Sequence, residues 1–293
     1  MQALQTATDI AFKNILFLTD FSESSESALA YALGFAKHFN ANLYPAHASD
    51  PVILTEGVTA DVIDKIAENS RVQLETLAWN NKIKGPVLFA QTSVESVFPK
   101  WIAEHGIDLV VVGTHGRRGL QRFLMGSTAE FIFRNATCPV LTVGPHVATR
   151  PYNGFVAENI LFPTDLGSHA EFASSYALSF AHESRGRLTL MHIIPRETAF
   201  QHDTRELIAE ITDKLTRLIP SDAKLWCAPE VVVEVGDPAL EVQGYAERER
   251  PDLIVLGLPH NKEFSAHFRT GVTYKLVSSA PCPVLTIRDM TAG

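Results

Sequence analysis

Three glycines stand at a spacing that suits anion binding: Gly113, Gly116 and Gly126, the last followed by Ser127 and Thr128. They lie in DLVVVGTHGRRGLQRFLMGSTAEF, from Asp108, where an apolar run passes into a loop carrying Arg117, Arg118 and Arg122 and then into a helix start. A glycine directly after a strand lets the backbone turn sharply and leaves no side chain between its amide and a ligand oxygen. A helix opening at Gly126-Ser127 adds unpaired N–H groups and a positive dipole end, which suit a phosphate. A ligand-free reading stands beside this one. Ser127 followed by Glu130 is also a capping box, in which a hydroxyl and a carboxylate satisfy the helix's own amides. The spacing is neither a Walker A loop nor GxGxxG.

Thr19 and Asp20 close an earlier apolar run in LTDFS, and Asp165 does the same in PTDLG. An Asp there either caps the following helix or, with a nucleotide lying across the strand ends, accepts hydrogen bonds from its base or ribose. No HExxH, zinc-type Cys/His spacing or GxSxG elbow occurs, so no metal ligand and no catalytic residue is assigned. His47 and His192 recur at the ends of equivalent strands, where orienting a neighbouring loop is the expected role. Cys138 and Cys282 each precede a Pro and read as buried thiols.

The elements that must position these residues are written twice. NILFLTDFSESSESALAYALGFAKHF from Asn14 aligns with NILFPTDLGSHAEFASSYALSFAHES from Asn159 at an offset of 145, which becomes 144 from Asp108 onward. Each copy is of domain size, so the chain is a tandem duplication rather than a solenoid. The boundary falls in the Gly- and Pro-rich stretch of residues 144 to 155, giving domains 1–148 and 149–293.

Within the first half, NILFLT, ANLYPAHA, PVLFAQ, DLVVVG and CPVLTVG read as strands. Helices are expected at SESALAYALGFAKHF, residues 57 to 80, SVFPKWIAEHG and after Gly126. The second half repeats this with LTLMHI, a helix near 203 to 219, EVVVEV, a helix in PALEVQGYAERER, DLIVLG and PVLTIR. Apolar runs at consecutive positions, alternating with helices, indicate parallel sheets covered on both faces: two tandem, doubly wound, Rossmann-like α/β domains. Ligands collect beyond the carboxyl ends of such sheets where the winding reverses, so the turns after strands 1 and 4 are the places to search.

With 293 residues, 46% of them hydrophobic, a sizeable core is available. A net charge of -8 argues against a broad nucleic-acid or anionic-membrane surface, so any phosphate binding must be local. The apolar runs are of strand length, well short of a membrane span, and three cysteines without a CxxC pair suggest a reducing cytosol.

Taken together, ILFLTDFS and ILFPTDLG, DLVVVGTHGRRG, and the closing TCPVLTVG and PCPVLTIR resemble the universal stress protein family in its tandem form, over about residues 12 to 145 and 157 to 289. That family's ATP-binding pattern, GxxGx9G followed by Ser or Thr, is matched by Gly113, Gly116, Gly126 and Ser127. The resemblance implies an adenine-nucleotide ligand, ATP with or without Mg2+. It would have Thr19 and Asp20 at the base end, Ala48 offering backbone contacts, the glycines and Arg117 at the phosphates and ribose, and Ser127 with Thr128 on phosphate oxygens. Leu18 and TSVES from Thr92 depart from the usual residues.

In the second half Gly257 is kept, while His260 and Thr270 stand at the second and third glycine positions and Gly271 is one residue late, so this site is expected to be weak or lost. Because the frame survives there without most of its glycines, those of the first half point to a ligand. The closing strands would, by the same resemblance, pair the two domains within one chain about a pseudo-two-fold axis, with a homodimer left open. The expectation is a cytoplasmic ATP-binding stress-response module with an unknown protein partner. A slow ATPase and an interaction protein with a vestigial loop are the alternatives.

Overall fold

A computed structural model describes residues 10–51, 59–114, 125–148, 154–259 and 271–288. Contacts divide the chain into two compact units, one built on Phe12–Leu141 and the other on Val156–Gly293. The first half supplies β1 (Asn14–Leu18), α1 (Glu23–His38), β2 (Asn42–Ala48), α2 (Ala60–Asn80), β3 (Leu88–Ala90), α3 (Val94–His105), β4 (Leu109–Gly113), α4 (Ser127–Asn135) and β5 (Val140–Val143). Its strands lie in the order β3-β2-β1-β4-β5. β1 pairs in parallel with both β2 and β4, with Leu18 opposite Ala46 on one side and Val112 on the other.

The second half supplies β6 (Asn159–Pro163), α5 (Ala170–Ser184), β7 (Arg187–Pro195), α6 (Arg196–Gln201), α7 (Thr204–Arg217), a 3-10 turn (Ala223–Leu225), β8 (Ala228–Gly236), α8 (Pro238–Glu249), β9 (Leu253–Leu258), α9 (Val272–Ser279) and β10 (Val284–Arg288). Its strand order, β8-β7-β6-β9-β10, repeats that of the first half. The alternating parallel α/β architecture expected from the sequence is therefore the one observed.

Ile15, Leu16, Phe17, Leu109, Val110 and Val111 are all fully buried, as are Ile160, Phe162 and Leu253–Val255 in the second half. Strands with no polar alternation need cover on both faces, which the crossover helices supply. α1 follows from a Ser22 N-cap that accepts the Ser25 amide, Glu23 and Glu26 in the first turn, and Lys37 and His38 in the last. The described part of the helix expected at 57 to 80 begins at Ala60, and α7 is shorter than expected because Asp203 is its N-cap, not its first residue.

The second half extends beyond the sequence reading, with β7 running from Arg187 to Pro195 rather than over LTLMHI alone and a 3-10 turn added at Ala223–Leu225. α6 is a six-residue helix after Pro195, too short to show a 3.6-residue period. β8 has nine residues, because Ala228, Pro229 and Gly236 also pair with β7.

Candidate functional site

The strand order reverses between β1 and β4, and the turns that follow these two neighbouring strands lie at one end of the sheet. The turn after β1 is held by its own side chains. Thr19 is buried; its Oγ1 accepts the Phe21 amide at 2.9 Å and lies 3.0 Å from Ser25 Oγ. Asp20 Oδ1 accepts both the amide (3.1 Å) and the hydroxyl (2.5 Å) of Ser22. Ser22 rather than Asp20 is therefore the helix cap, and Asp20 fixes the residue that caps. His47 Nδ1 is 2.7 Å from the Thr19 carbonyl and, since a carbonyl only accepts, carries the proton there. This ties the end of β2, where Ala48 pairs with Ala90, to the end of β1.

Phe21 sits at φ 61°, a left-handed conformation that is costly for a large side chain. Its ring lies 4.7 Å from that of His47, which in turn stacks at 6.2 Å on Phe89. The second half reproduces the turn: Leu166 also has φ 61°, its amide bonds Thr164 Oγ1 at 3.0 Å, and His192 Nδ1 reaches the Thr164 carbonyl at 2.8 Å. Nothing in the sequence marks these left-handed residues, since neither is Gly, Asn or Asp.

Gly113 closes β4, and Thr114, fully buried, accepts the Gly126 amide at 2.7 Å through its carbonyl. This bond joins the two ends of the loop; Gly116, Arg117, Arg118 and Arg122 lie outside the described residues. Gly126 is the N-cap of α4 (φ -64°, ψ 154°) and makes no side-chain cap. Ser127 and Thr128 are exposed on the first turn, where helix amides lack intrahelical acceptors.

The capping-box reading fails on this geometry. Ser127 is already the first helical residue, and the Glu130 carboxylate pairs with Arg134 at 3.0 Å within α4.

Two expectations about the glycines change. Gly113 has no left-handed backbone requirement; a Cβ there would stand 2.8 Å from the Ser24 carbonyl oxygen and 3.1 Å from the Ser25 amide, in the first turn of α1. Its small size is thus demanded by helix-to-strand packing, whatever the ligand. Its twin Gly257 is demanded in the same way, by His169 Cδ2 at 2.6 Å and Ala173 Cβ at 2.9 Å from the position of such a Cβ. Gly271, one residue late by spacing, is the N-cap of α9 with φ -69° and ψ 155°, the counterpart of Gly126. α9 is one residue shorter than α4, which absorbs the shift.

What separates the halves among the described residues is therefore not these two glycines. Val272 occupies the first helical position held by Ser127. α5 begins two residues later than α1, with His169 as its N-cap, so an imidazole fills the space that the Ser24 backbone fills in the first half. His169 Nε2 lies 3.4 Å from Asp165 Oδ1, which also accepts the Gly167 amide at 2.8 Å. The hydrogen bond from His169, helped by that amide and opposed by partial burial, lowers the Asp165 carboxyl to about 2. Among the described residues no helix is long and apolar enough to cross a membrane, and no cluster of three His, Cys, Asp or Glu is placed to hold a metal ion.

The model of the universal stress protein family matches residues 11–144 and again 157–288. The chain belongs to the universal stress protein family. It carries two family domains in tandem, and relatives of single-domain length align with one part of it. A universal stress protein of Methanocaldococcus jannaschii is 30% identical over 141 residues, 45% of this chain and 82% of that protein. A putative universal stress protein of Staphylococcus haemolyticus is 32% identical over 143 residues, 46% of this chain and 86% of that one. Over the whole length, the crystal structure of a universal stress protein from Archaeoglobus fulgidus superposes with a TM-score of 0.67 at 19% identity, covering 94% of this chain and 98% of the other. That similarity speaks to the fold of this family member.

Proposed function

We propose that this universal stress protein is a nucleotide-dependent regulatory module of the stress response, with ATP bound chiefly by its first half. The observation that carries the reading is the pairing of β1 with β4, which brings the Asp20 turn and Gly113, where the loop to Gly126 begins, to the same end of two neighbouring strands at the reversal of strand order. There the loop opens onto α4 with exposed Ser127 and Thr128. Helix amides and two hydroxyls suit phosphate oxygens, and Asp20 with the backbone of Ala48 suits a base and ribose. Gly116 and Arg117, with the rest of the family pattern, would complete the phosphate contacts.

These groups fit a nucleotide better than a bare anion, because the hydroxyls open α4 while the carboxylate follows β1. Where Mg2+ accompanies the nucleotide, the phosphates themselves would hold it. The second half, with Val272 for Ser127, serves as structural partner. All three cysteines are free, in keeping with a cytoplasmic setting.

Calorimetric titration with ATP tests the reading. The expected result is about one nucleotide per chain, lost on Gly116→Val and weakened on Ser127→Val, with the melting temperature raised by saturating ATP. Failure to bind, or equal binding after both substitutions, would leave an interaction protein with a vestigial loop. Multiple-turnover phosphate release abolished by Ser127→Val would make it a hydrolase instead.

A further inference from the structure

β8 closes one end of the strand order and, among the described residues, has no strand on its outer side. It is nine residues long and its run Val231, Val232, Val233 is only half-buried, whereas its counterpart in the first half, β3, has three residues. A long apolar edge is a template for pairing, because alternate backbone N–H and C=O groups point away from the sheet. Its surroundings are apolar as well. Phe200 (88% exposed) lies on α6, Leu225 (87%) in the 3-10 turn, Leu240 (65%) on α8 and Val235 (38%) on β8 itself. Each of those three neighbouring elements packs against β8. The edge acids defend it only in part: Glu230 lies 3.7 Å from Arg187 and Glu234 3.6 Å from Arg248, so each has a cation beside it within the chain.

We propose that this edge docks a second copy of the chain, β8 against β8, antiparallel across a two-fold axis centred on Val233. Opposite residues in such a pair share a face. Centring on Val233 sets Val231 opposite Val235 of the second copy and Val232 opposite its Glu234. Centring on Val232 would instead set Glu230 opposite Glu234, two like charges. Under that two-fold the end of β8 that follows Leu225 meets the end that neighbours Phe200 in the copy, and both residues lie on the connection from β7 to β8, so apolar flanks come together. A foreign strand would need to supply that match from its own flanks; a second copy has it already.

The test is light scattering and sedimentation of the full chain over a range of concentrations, with single-site cysteine crosslinking. The wild type should be a concentration-dependent dimer. Val235→Lys, at an exposed position, should raise the dimer dissociation constant by about tenfold or more, with the melting temperature unchanged at concentrations where the wild type is monomeric. Val233→Cys should crosslink to itself under mild oxidation, because directly opposed antiparallel residues have Cα atoms about 4.5–5.5 Å apart, within disulfide range. Val232→Cys, offset from its own copy, should not. A wild-type monomer at every concentration, a dimer indifferent to Val235→Lys, or a Val233→Cys chain that stays uncrosslinked would each overturn the proposal.

Discussion

Replacing Gly113 by Ala separates the two reasons a glycine can stand at the end of β4. If its role were only to admit a phosphate, the substitution would leave stability intact and abolish binding. The added Cβ would lie 2.8 Å from the Ser24 carbonyl oxygen and 2.9 Å from its carbon, both backbone atoms of α1. Such atoms cannot swing aside as a side-chain tip can, so the helix must move as a body. Overpacking of this kind costs about 1–3 kcal/mol. With a urea slope of about 2 kcal/mol per molar, the midpoint of the first half's transition should fall by roughly 0.5–1.5 M.

The second half supplies the control. In Gly257→Ala the nearest atom is the tip of His169, at 2.6 Å, with Ala173 Cβ behind it at 2.9 Å. His169→Ala should therefore recover part of the loss from Gly257→Ala, whereas no single side-chain truncation should recover Gly113→Ala. The assay is equilibrium urea unfolding followed by far-UV circular dichroism, with the double-mutant cycle read at the same pH. A Gly113→Ala chain as stable as the wild type would refute the packing account and return Gly113 to a purely ligand-facing role.

Three further outcomes follow from the same structure. The Asp165 carboxyl should titrate near 2, and His169→Ala should move it up toward the ordinary value of about 3.9, as read by carbon NMR of the carboxyl. Because the folded value lies below the unfolded one, this contact stabilises the native state above about pH 4 and its contribution is lost as the pH falls through about 2. The Cys138 thiol, half-buried rather than buried as its twin Cys282 is, is pushed up to about 12 mainly by desolvation and secondarily by Asp108, so it should label with maleimide more slowly at neutral pH in the folded protein than after unfolding in urea. Ser22→Ala removes the α1 cap and the partner of Asp20 together, and should cost about 1–2 kcal/mol in urea unfolding; no change would mean that the first turn of α1 is held by packing alone.

Most of the architecture was legible in the chain itself. The duplication, the alternation of apolar runs with amphipathic stretches, and the parallel sheets they imply depend on local periodicity and on self-similarity, and both survive in one dimension. β1, β4, β6 and β9 fall where their apolar runs stand because burial on both faces leaves no polar alternation to misread. α6 was not legible, being shorter than two helical turns. The left-handed Phe21 and Leu166 were not either, because their conformation is imposed by threonine hydroxyls that hold their amides rather than by their own residue types.

The candidate site divides along the same line. Spacing found the strand ends, the loop and the helix start, and gave the resemblance to a family to which the chain does belong. Spacing could not say why Gly113 is a glycine, since the atoms that exclude a side chain there belong to Ser24 and Ser25, brought close only when α1 folds onto β4. Nor could it align Gly271 with Gly126, because the equivalence is set by where each helix begins and not by residue count. The sequence alone determined most of the elements and their order, α6 and the 3-10 turn excepted. Tertiary structure decided which of their residues are required for packing and which, like Ser127 and Thr128, are left exposed, because close approach between segments distant along the chain is a property of the folded surfaces.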